Sequence, residues 1–192
     1  MRVLIVDDES LIRMDLRDII ESCGHEVIAE GTNGVEAIKL CKEYKPDIVL
    51  MDVKMPELDG IEAARQIGFH HEAPVVLLTS YSQQDLINKA RESGVYGYLI
   101  KPVREEQLVP TLEMALGRYH SDAELREKMA ELEQSLEDRK IIQKGTGILM
   151  KLYSISEEEA YNRIRALSMK KRDSIVNICK ACLLYTSPSP RD

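Results

Sequence analysis

The sequence predicts a doubly wound α/β domain with a five-stranded parallel sheet, then a long coiled-coil helix and a small all-α unit of three helices. Three observations carry this reading. Before residue 104, short apolar runs alternate five times with amphipathic helical patterns. That order builds a parallel sheet, and right-handed crossovers place helices on both of its faces. Four of the runs end in acidic, hydroxyl or amino side chains, as strands do where they emerge at a ligand-binding sheet edge. Beyond residue 104 the strand signals stop and only helical periodicity remains.

Val3-Leu4-Ile5-Val6 is the first strand and runs into Asp7-Asp8. Leu11, Ile12, Leu16, Ile19 and Ile20 then recur at helical spacing, and Cys23-Gly24 closes that helix. Residues 26–30 form a short strand, and Asn33-Gly34 opens a helix carrying Ala37, Ile38 and Leu40. Lys45-Pro46-Asp47 breaks it just before Ile48-Val49-Leu50-Met51-Asp52. Four apolar residues in a row read as a strand buried on both faces, here ending in one carboxylate. Met55-Pro56-Glu57-Leu58-Asp59-Gly60 is a loop and helix start, followed by Ile61, Ala64 and Ile67. Pro74 opens Val75-Val76-Leu77-Leu78, which ends in Thr79-Ser80. A helix over 83–93 stops at Gly94, and Tyr98-Leu99-Ile100 delivers Lys101-Pro102.

From Arg104 to about Leu152 the pattern is one long helix. Pro110 requires either a kink or a short first turn before the main helix. Leu125, Met129, Leu132 and Leu136 follow the 4-3-4 spacing of a coiled-coil seam with charged residues between them, which suggests a parallel homodimer. Ile141, Gly145, Ile148, Leu149 and Leu152 share one face of the helix that starts the third unit. Ser156-Glu157-Glu158-Glu159 is a capping box before Ala160, Ile164 and Leu167. Ile175, Ile178 and Cys179 mark a last helix. These patterns divide the chain into 1–118, a linker helix over 119–138, a helical unit over 139–182, and a tail over 183–192. The tail breaks the pattern and reads as non-native sequence, with the natural C-terminus missing.

Composition narrows the function classes. With 44% hydrophobic and 31% charged residues, the chain suits a water-soluble protein with a real core. No apolar run reaches the roughly 18 residues of a membrane span, and the first strand leaves no room for a signal peptide. Four scattered cysteines make no disulfide framework. A cytoplasmic location is expected. Residues 1–120 hold 13 Lys/Arg against 21 Asp/Glu, a net of −8, whereas 139–181 hold 10 against 4, a net of +6. Only the basic half suits a polyanion. Cys179-x-x-Cys182 lacks a second pair, and His70-His71 has no neighbouring ligands, so neither supports a metal site.

Three carboxylates at one sheet edge, Asp7, Asp8 and Asp52, repel one another by about 4 kcal/mol per pair at 4 Å and an effective dielectric of 20. A hard cation such as Mg²⁺ relieves that repulsion and neutralises an incoming phosphoryl group. Transfer of such a group needs positioning and charge stabilisation. Asp52 is the candidate nucleophile. Lys101 offers a positive charge to the phosphate oxygens, and Thr79 a hydroxyl donor.

With Asp7 and Asp8, Asp52, Met55-Pro56-x-x-Asp59-Gly60, Thr79-Ser80 and Lys101-Pro102 in place, residues 1–118 resemble the receiver domain of two-component response regulators. The resemblance implies a flavodoxin-like sheet and an Asp52 that takes phosphate from a histidine kinase, with no external substrate. It implies Mg²⁺ held by Asp8, Asp52 and the backbone carbonyl of Lys54, with Asp7 assisting. It further implies phosphoryl binding by Lys101 and Thr79, a cis Lys101–Pro102 peptide, and a switch aromatic at Tyr98. Lys54 and Tyr81 are expected to influence hydrolysis of the acyl phosphate.

Gly145-Thr146-Gly147-Ile148-Leu149-Met150, then Ser156-Glu157-Glu158-Glu159-Ala160-Tyr161, Arg163-Ile164-Arg165 and Ser168-Met169, resemble the ANTAR family of RNA-binding antiterminators. Where that family usually has Ala-Lys, this chain has Gly145-Thr146. Glycine there costs up to about 1 kcal/mol of helix propensity, and one positive charge is lost. At about 100° per residue, Lys140, Lys144, Gly147 and Lys151 lie within roughly 60° of one another. This basic stripe with a glycine gap suits a phosphate backbone; the plain alternative is a solvated lysine edge whose glycine admits a neighbouring helix. Arg163 and Arg165 fall on nearly opposite sides of their helix. Tyr161 suits either stacking on a loop base or a half-buried place in the core.

The sequence therefore reads as a regulator phosphorylated on Asp52 that binds hairpin RNA in nascent transcripts as a dimer and disfavours termination. A DNA-binding response regulator is the first alternative, although no turn-and-recognition-helix pair is visible. A response regulator with a protein-interaction output is the second.

Overall fold

The computed structural model describes residues 1–70, 72–80 and 94–186. The helix expected over 83–93, together with Tyr81 and His71, lies outside the described residues. Strands β1 (Arg2–Val6), β2 (Glu26–Gly31), β3 (Ile48–Asp52), β4 (Val75–Thr79) and β5 (Val95–Ile100) form one sheet in the order β2-β1-β3-β4-β5. Every pairing is parallel, as the βα alternation predicts. Helices α1 (Ser10–Ser22), α2 (Gly34–Tyr44) and α3 (Gly60–Phe69) follow β1, β2 and β3, and α4 (Glu105–Tyr153) follows β5.

Strand periodicity splits the core into two layers. Leu4, Val6, Val49, Met51, Val75 and Leu77 face one side, against Ala37 and Cys41 of α2 and Ala63, Ala64 and Ile67 of α3. Val3, Ile5, Ile48, Leu50, Val76 and Leu78 face the other, against Leu16 and Ile20 of α1 and Leu108, Leu112 and Ala115 of α4. Each fully buried Leu or Ile contributes about 1.5–3 kcal/mol relative to exposure. β3 and β4 are buried at every residue, which explains their unbroken apolar runs. β5 starts three residues before the apolar run that marked it, at Val95. As an edge strand it is only partly covered, so tyrosines and Gly97 replace aliphatic residues there.

Helix α4 is continuous across Pro110, which lies in its second turn, so no separate first turn precedes the main helix. Pro110 is exposed, and water can satisfy the Glu106 carbonyl that the ring leaves without a partner. The described contacts separate into two compact units, Met1–Ala123 and Glu124–Asp192.

In the second unit, the end of α4 packs with α5 (Glu157–Lys171) and α6 (Ile175–Thr186). Ser156 caps α5 by accepting the Glu159 N–H at 3.2 Å. The core is small: Ile164, Ile178 and Cys179, with Ile141, Ile142, Leu149 and Ile175 partly buried against them. A Cβ on Gly145 would lie 2.7 Å from the Cys179 Cβ. Glycine there is thus the condition for close approach of α4 and α6, and its lower helix propensity is outweighed by packing. Leu152 and Leu167, placed by periodicity on buried faces, are instead exposed. With so few residues the unit has too little interior to cover them. Leu125, Met129, Leu132 and Leu136 are all exposed as well, forming the apolar stripe that their spacing predicts. Among the described residues no helix is long and apolar enough to cross a membrane.

Candidate functional site

The carboxyl ends of β1, β3, β4 and β5 lie side by side and carry Asp7, Asp52, Thr79 and Lys101. The Lys101 Nζ donates to Asp7 Oδ2 at 2.7 Å and sits 3.0 Å from Asp52 Oδ1. Asp7 is fully buried and Asp52 is 8% exposed, so both charges work in a poorly screened setting. Burial pushes the Asp52 carboxyl above the ordinary aspartate range, although Lys101 pulls it down. For Lys101, burial pushes the ammonium down, but hydrogen bonds to Asp7 and Asp52 outweigh it and hold the group above the usual lysine range. The pair therefore sets a firmly protonated ammonium beside a carboxyl whose ionisation burial opposes.

Asp8 is exposed, and its carboxylate lies with those of Asp7 and Asp52 in a cluster whose ligand oxygens are all within 4.8 Å of one another. Asp8 does not cap α1. Glu9 holds the cap position without a side-chain bond, and Asp7 Oδ1 accepts the Glu9 N–H at 2.9 Å. Three carboxylates and one ammonium leave two net negative charges. The donor set is all oxygen, so the residues fit a small hard divalent cation.

The neighbouring groups are set by the same sheet edge. Thr79 is buried, and its hydroxyl donates to the Ser80 carbonyl at 3.0 Å. Tyr98 is 46% exposed on β5, and the Lys101–Pro102 peptide is cis. Lys54 is exposed just past β3. Gly60 N–H donates to the Val53 carbonyl at 2.9 Å, and a Cβ at Gly60 would stand 2.0 Å from the Asp52 carbonyl oxygen. The Asp59-Gly60 pair thus has two jobs. Asp59 caps α3 through the Glu62 N–H, and Gly60 lets α3 begin directly against the strand end that carries Asp52.

Two residues that sequence patterns did not single out hold the acidic loop. Arg13 Nη1 donates to the Asp7 carbonyl at 2.7 Å, and its Nε pairs with Glu30 at 3.0 Å. Arg17 pairs with the same glutamate. Burial alone would raise Glu30, but hydrogen bonds from Arg17 and Arg13 hold it below the ordinary range. Only the adjacency of β1 and β2 brings Glu30 to Arg13.

The basic residues of the second unit are arranged differently. Lys140, Lys144 and Lys151 are exposed along α4, and a Cβ on Gly147 would meet no atom within 4 Å. The neighbour-admitting glycine is therefore Gly145, and the Gly147 gap is open. Lys140 pairs with Glu137 at 2.6 Å. Arg163 pairs with Glu159 at 3.0 Å, and its guanidinium lies 5.4 Å from the centre of the Tyr153 ring. Arg165 is exposed on the opposite side of α5.

A model of the response regulator receiver domain matches residues 3–113, and a model of the ANTAR domain matches residues 130–183. The chain is 39% identical over 191 residues to the transcriptional regulatory protein PdtaR of Mycobacterium tuberculosis, covering 100% of this chain and 93% of that protein. It is 42% identical over 112 residues to the chemotaxis protein CheY of Thermotoga maritima, 58% of this chain and 93% of that one. Among solved structures, the signal receiver domain of a modulated diguanylate cyclase from Desulfovibrio desulfuricans G20 aligns with a TM-score of 0.58 and 33% identity. That alignment covers 63% of this chain and 97% of that chain.

Proposed function

This chain belongs to the response regulators that join a receiver domain to an ANTAR domain, and on that premise we propose a phosphorylation-switched, RNA-binding transcriptional regulator. Asp52 is the phosphoacceptor, and the phosphodonor is a histidine kinase. An Asp52 oxygen attacks the phosphorus of the kinase phosphohistidine; the O–P bond forms as the P–N bond breaks, and the imidazole leaves with the electron pair. Lys101, already 3.0 Å from Asp52, then neutralises the phosphoryl oxygens. Asp8, Asp52 and the Lys54 backbone carbonyl would hold Mg²⁺, with Asp7 assisting, and the ion supplies charge neutralisation at the transferring group. The Thr79 hydroxyl leaves the Ser80 carbonyl for the phosphoryl group, and Tyr98 turns inward as the switch aromatic. No external substrate is turned over.

The single observation that supports this chemistry best is the Lys101 ammonium bridging Asp7 and Asp52 at neighbouring strand ends. On the output side, two chains pair through the exposed Leu125–Met129–Leu132–Leu136 stripe. They present Lys140, Lys144, Gly147 and Lys151, with Arg163 and Arg165 on α5, to hairpin RNA in a nascent transcript, favouring antitermination.

The test is binding of a paired-hairpin RNA, with a duplex DNA control, at several salt concentrations, with and without Mg²⁺ plus a small phosphodonor. RNA binding that strengthens on phosphorylation and loses that response in Asp52→Ala is the expected result. Binding indifferent to phosphorylation removes the switch. Preference for DNA, or no nucleic-acid binding, replaces the RNA output with one of the two alternative outputs.

A further inference from the structure

We infer that the cleft between α4 and α5 is a pocket for one unpaired RNA base, whose flanking phosphates lie on the lysine stripe of α4. This rests on the RNA-binding reading and assigns a site to it. The cleft measures about 470 Å³, inside the ~300–1,000 Å³ range of small-molecule sites. Arg139, Gln143 and Thr146 line it from α4, and Glu157, Glu158 and Tyr161 from α5.

Helix geometry joins this cleft to the stripe. At about 100° per residue, Arg139, Gln143 and Thr146 span roughly 60° of α4. The sector of Gly147, Lys140, Lys151 and Lys144 begins about 40° further round. A strand whose phosphates follow the lysines therefore has a base within reach of the cleft. The open space at Gly147, where a Cβ would meet nothing within 4 Å, lies at the boundary between the two sectors.

The chemistry of the walls selects a base over a phosphate. Glu157 and Glu158 on the α5 lip repel phosphate, so the backbone is confined to the lysine side. Their carboxylates, and the Gln143 amide, match the N–H donors and acceptors of a base edge. Tyr161 is 39% exposed and supplies an aromatic ring for stacking. The Thr146 hydroxyl is already donated to the Ile142 carbonyl at 2.7 Å, so the floor beneath the base makes no competing demand.

The experiment uses the full chain, phosphorylated, and a pool of hairpin RNAs with randomised loops, from which bound members are recovered. Tyr161→Ala is expected to bind them roughly 5- to 150-fold more weakly, the equivalent of about 1–3 kcal/mol for one stacked base. Tyr161→Phe is expected to stay within about threefold of wild type, since the ring is kept. The salt dependence of Tyr161→Ala is expected to match wild type, whereas Lys144→Gln lowers the slope by about one ion. An abasic scan of the loop is expected to reveal one position whose loss weakens wild type as much as Tyr161→Ala does and adds nothing in that variant. Gln143→Ala, an exposed helix substitution, gives the same comparison if Tyr161→Ala fails to fold. No RNA recovered by wild type overturns the RNA-binding reading itself. RNA recovered, with a normal Lys144→Gln effect but no abasic position coupled to Tyr161 or Gln143, overturns the pocket alone. Loss in Tyr161→Ala that no abasic position reproduces also overturns it, and points to a protein side chain in the cleft.

Discussion

The receiver edge and the ANTAR helices use charge in opposite ways. At the sheet edge, Lys101 meets Asp7 across 94 residues of sequence, and both groups are largely withdrawn from water. On the helices, Lys140 meets Glu137 and Arg163 meets Glu159 at three and four residues' separation, with every partner about half exposed or more. A long-range buried pair fixes geometry to a fraction of an ångström and is weakly screened by salt. Local exposed pairs are worth a few tenths of a kcal/mol and yield readily to a competing anion. The first arrangement suits a reaction at one phosphorus atom. The second suits a broad polyanionic surface, where exchangeable pairs are an advantage.

The largest predicted effect strikes the buried half. Asp52→Ala abolishes hydroxylamine-sensitive labelling by a radiolabelled small-molecule phosphodonor, and residual labelling at wild-type level would reassign the phosphoacceptor. Gly60→Ala comes next, because its methyl carbon would stand 2.0 Å from the Asp52 carbonyl oxygen. Urea unfolding should register a loss of more than about 3 kcal/mol in the receiver together with slower phosphorylation; a stability near wild type would mean that α3 can start elsewhere. In the exposed half, Gly147→Ala meets open space and should hold or raise stability by up to about 1 kcal/mol. Gly145→Ala, two residues earlier, meets Cys179 and should cost about 1–3 kcal/mol, with relief in the double variant carrying Cys179→Gly.

Smaller effects test the loop that Arg13 holds. Arg13→Ala should weaken Mg²⁺ binding measured by calorimetry, since Asp7 loses its carbonyl clamp, while leaving RNA affinity of the unphosphorylated chain unchanged. Glu30 gives the pH dependence. Its carboxyl titrates lower in the folded chain than in the unfolded one, so the stabilisation is present above about pH 4.3 and is lost as pH falls through the folded value. The difference in Tm between wild type and Glu30→Gln should therefore be largest near neutrality and shrink in acid. A difference that grows on acidification would reverse the sign of that coupling.

The sheet and its edge were legible because burial on both faces leaves a run such as Ile48–Met51 with no polar residue, and the polar residue after it marks the end. The parallel sheet follows from the βα alternation, and the four-group edge from the polar residues that end the apolar runs. The order β2-β1-β3-β4-β5 does not, because alternation is shared by more than one doubly wound order. What stayed hidden depends on three-dimensional adjacency. Arg13 and Glu30 carry no spacing signal and meet only through the β1–β2 pairing. Gly145 read as a helix weakness until Cys179 was found against it. Leu152 and Leu167 show the limit of periodicity: it names a face but not whether a small unit has enough neighbours to cover it.

The seating of Cys179 against Gly145 makes that thiol a clock for the second unit. It is fully buried, and burial pushes its ionisation above the ordinary thiol range, so the folded arrangement presents almost no thiolate to a reagent. Alkylation must wait until α6 lifts away, and its rate then counts openings of that helix, much as amide exchange counts local unfolding. Cys182, one turn further along and partly exposed, gives a reference rate in the same tube. The ratio of the two rates reports the open fraction of the second unit, without any label having to be introduced.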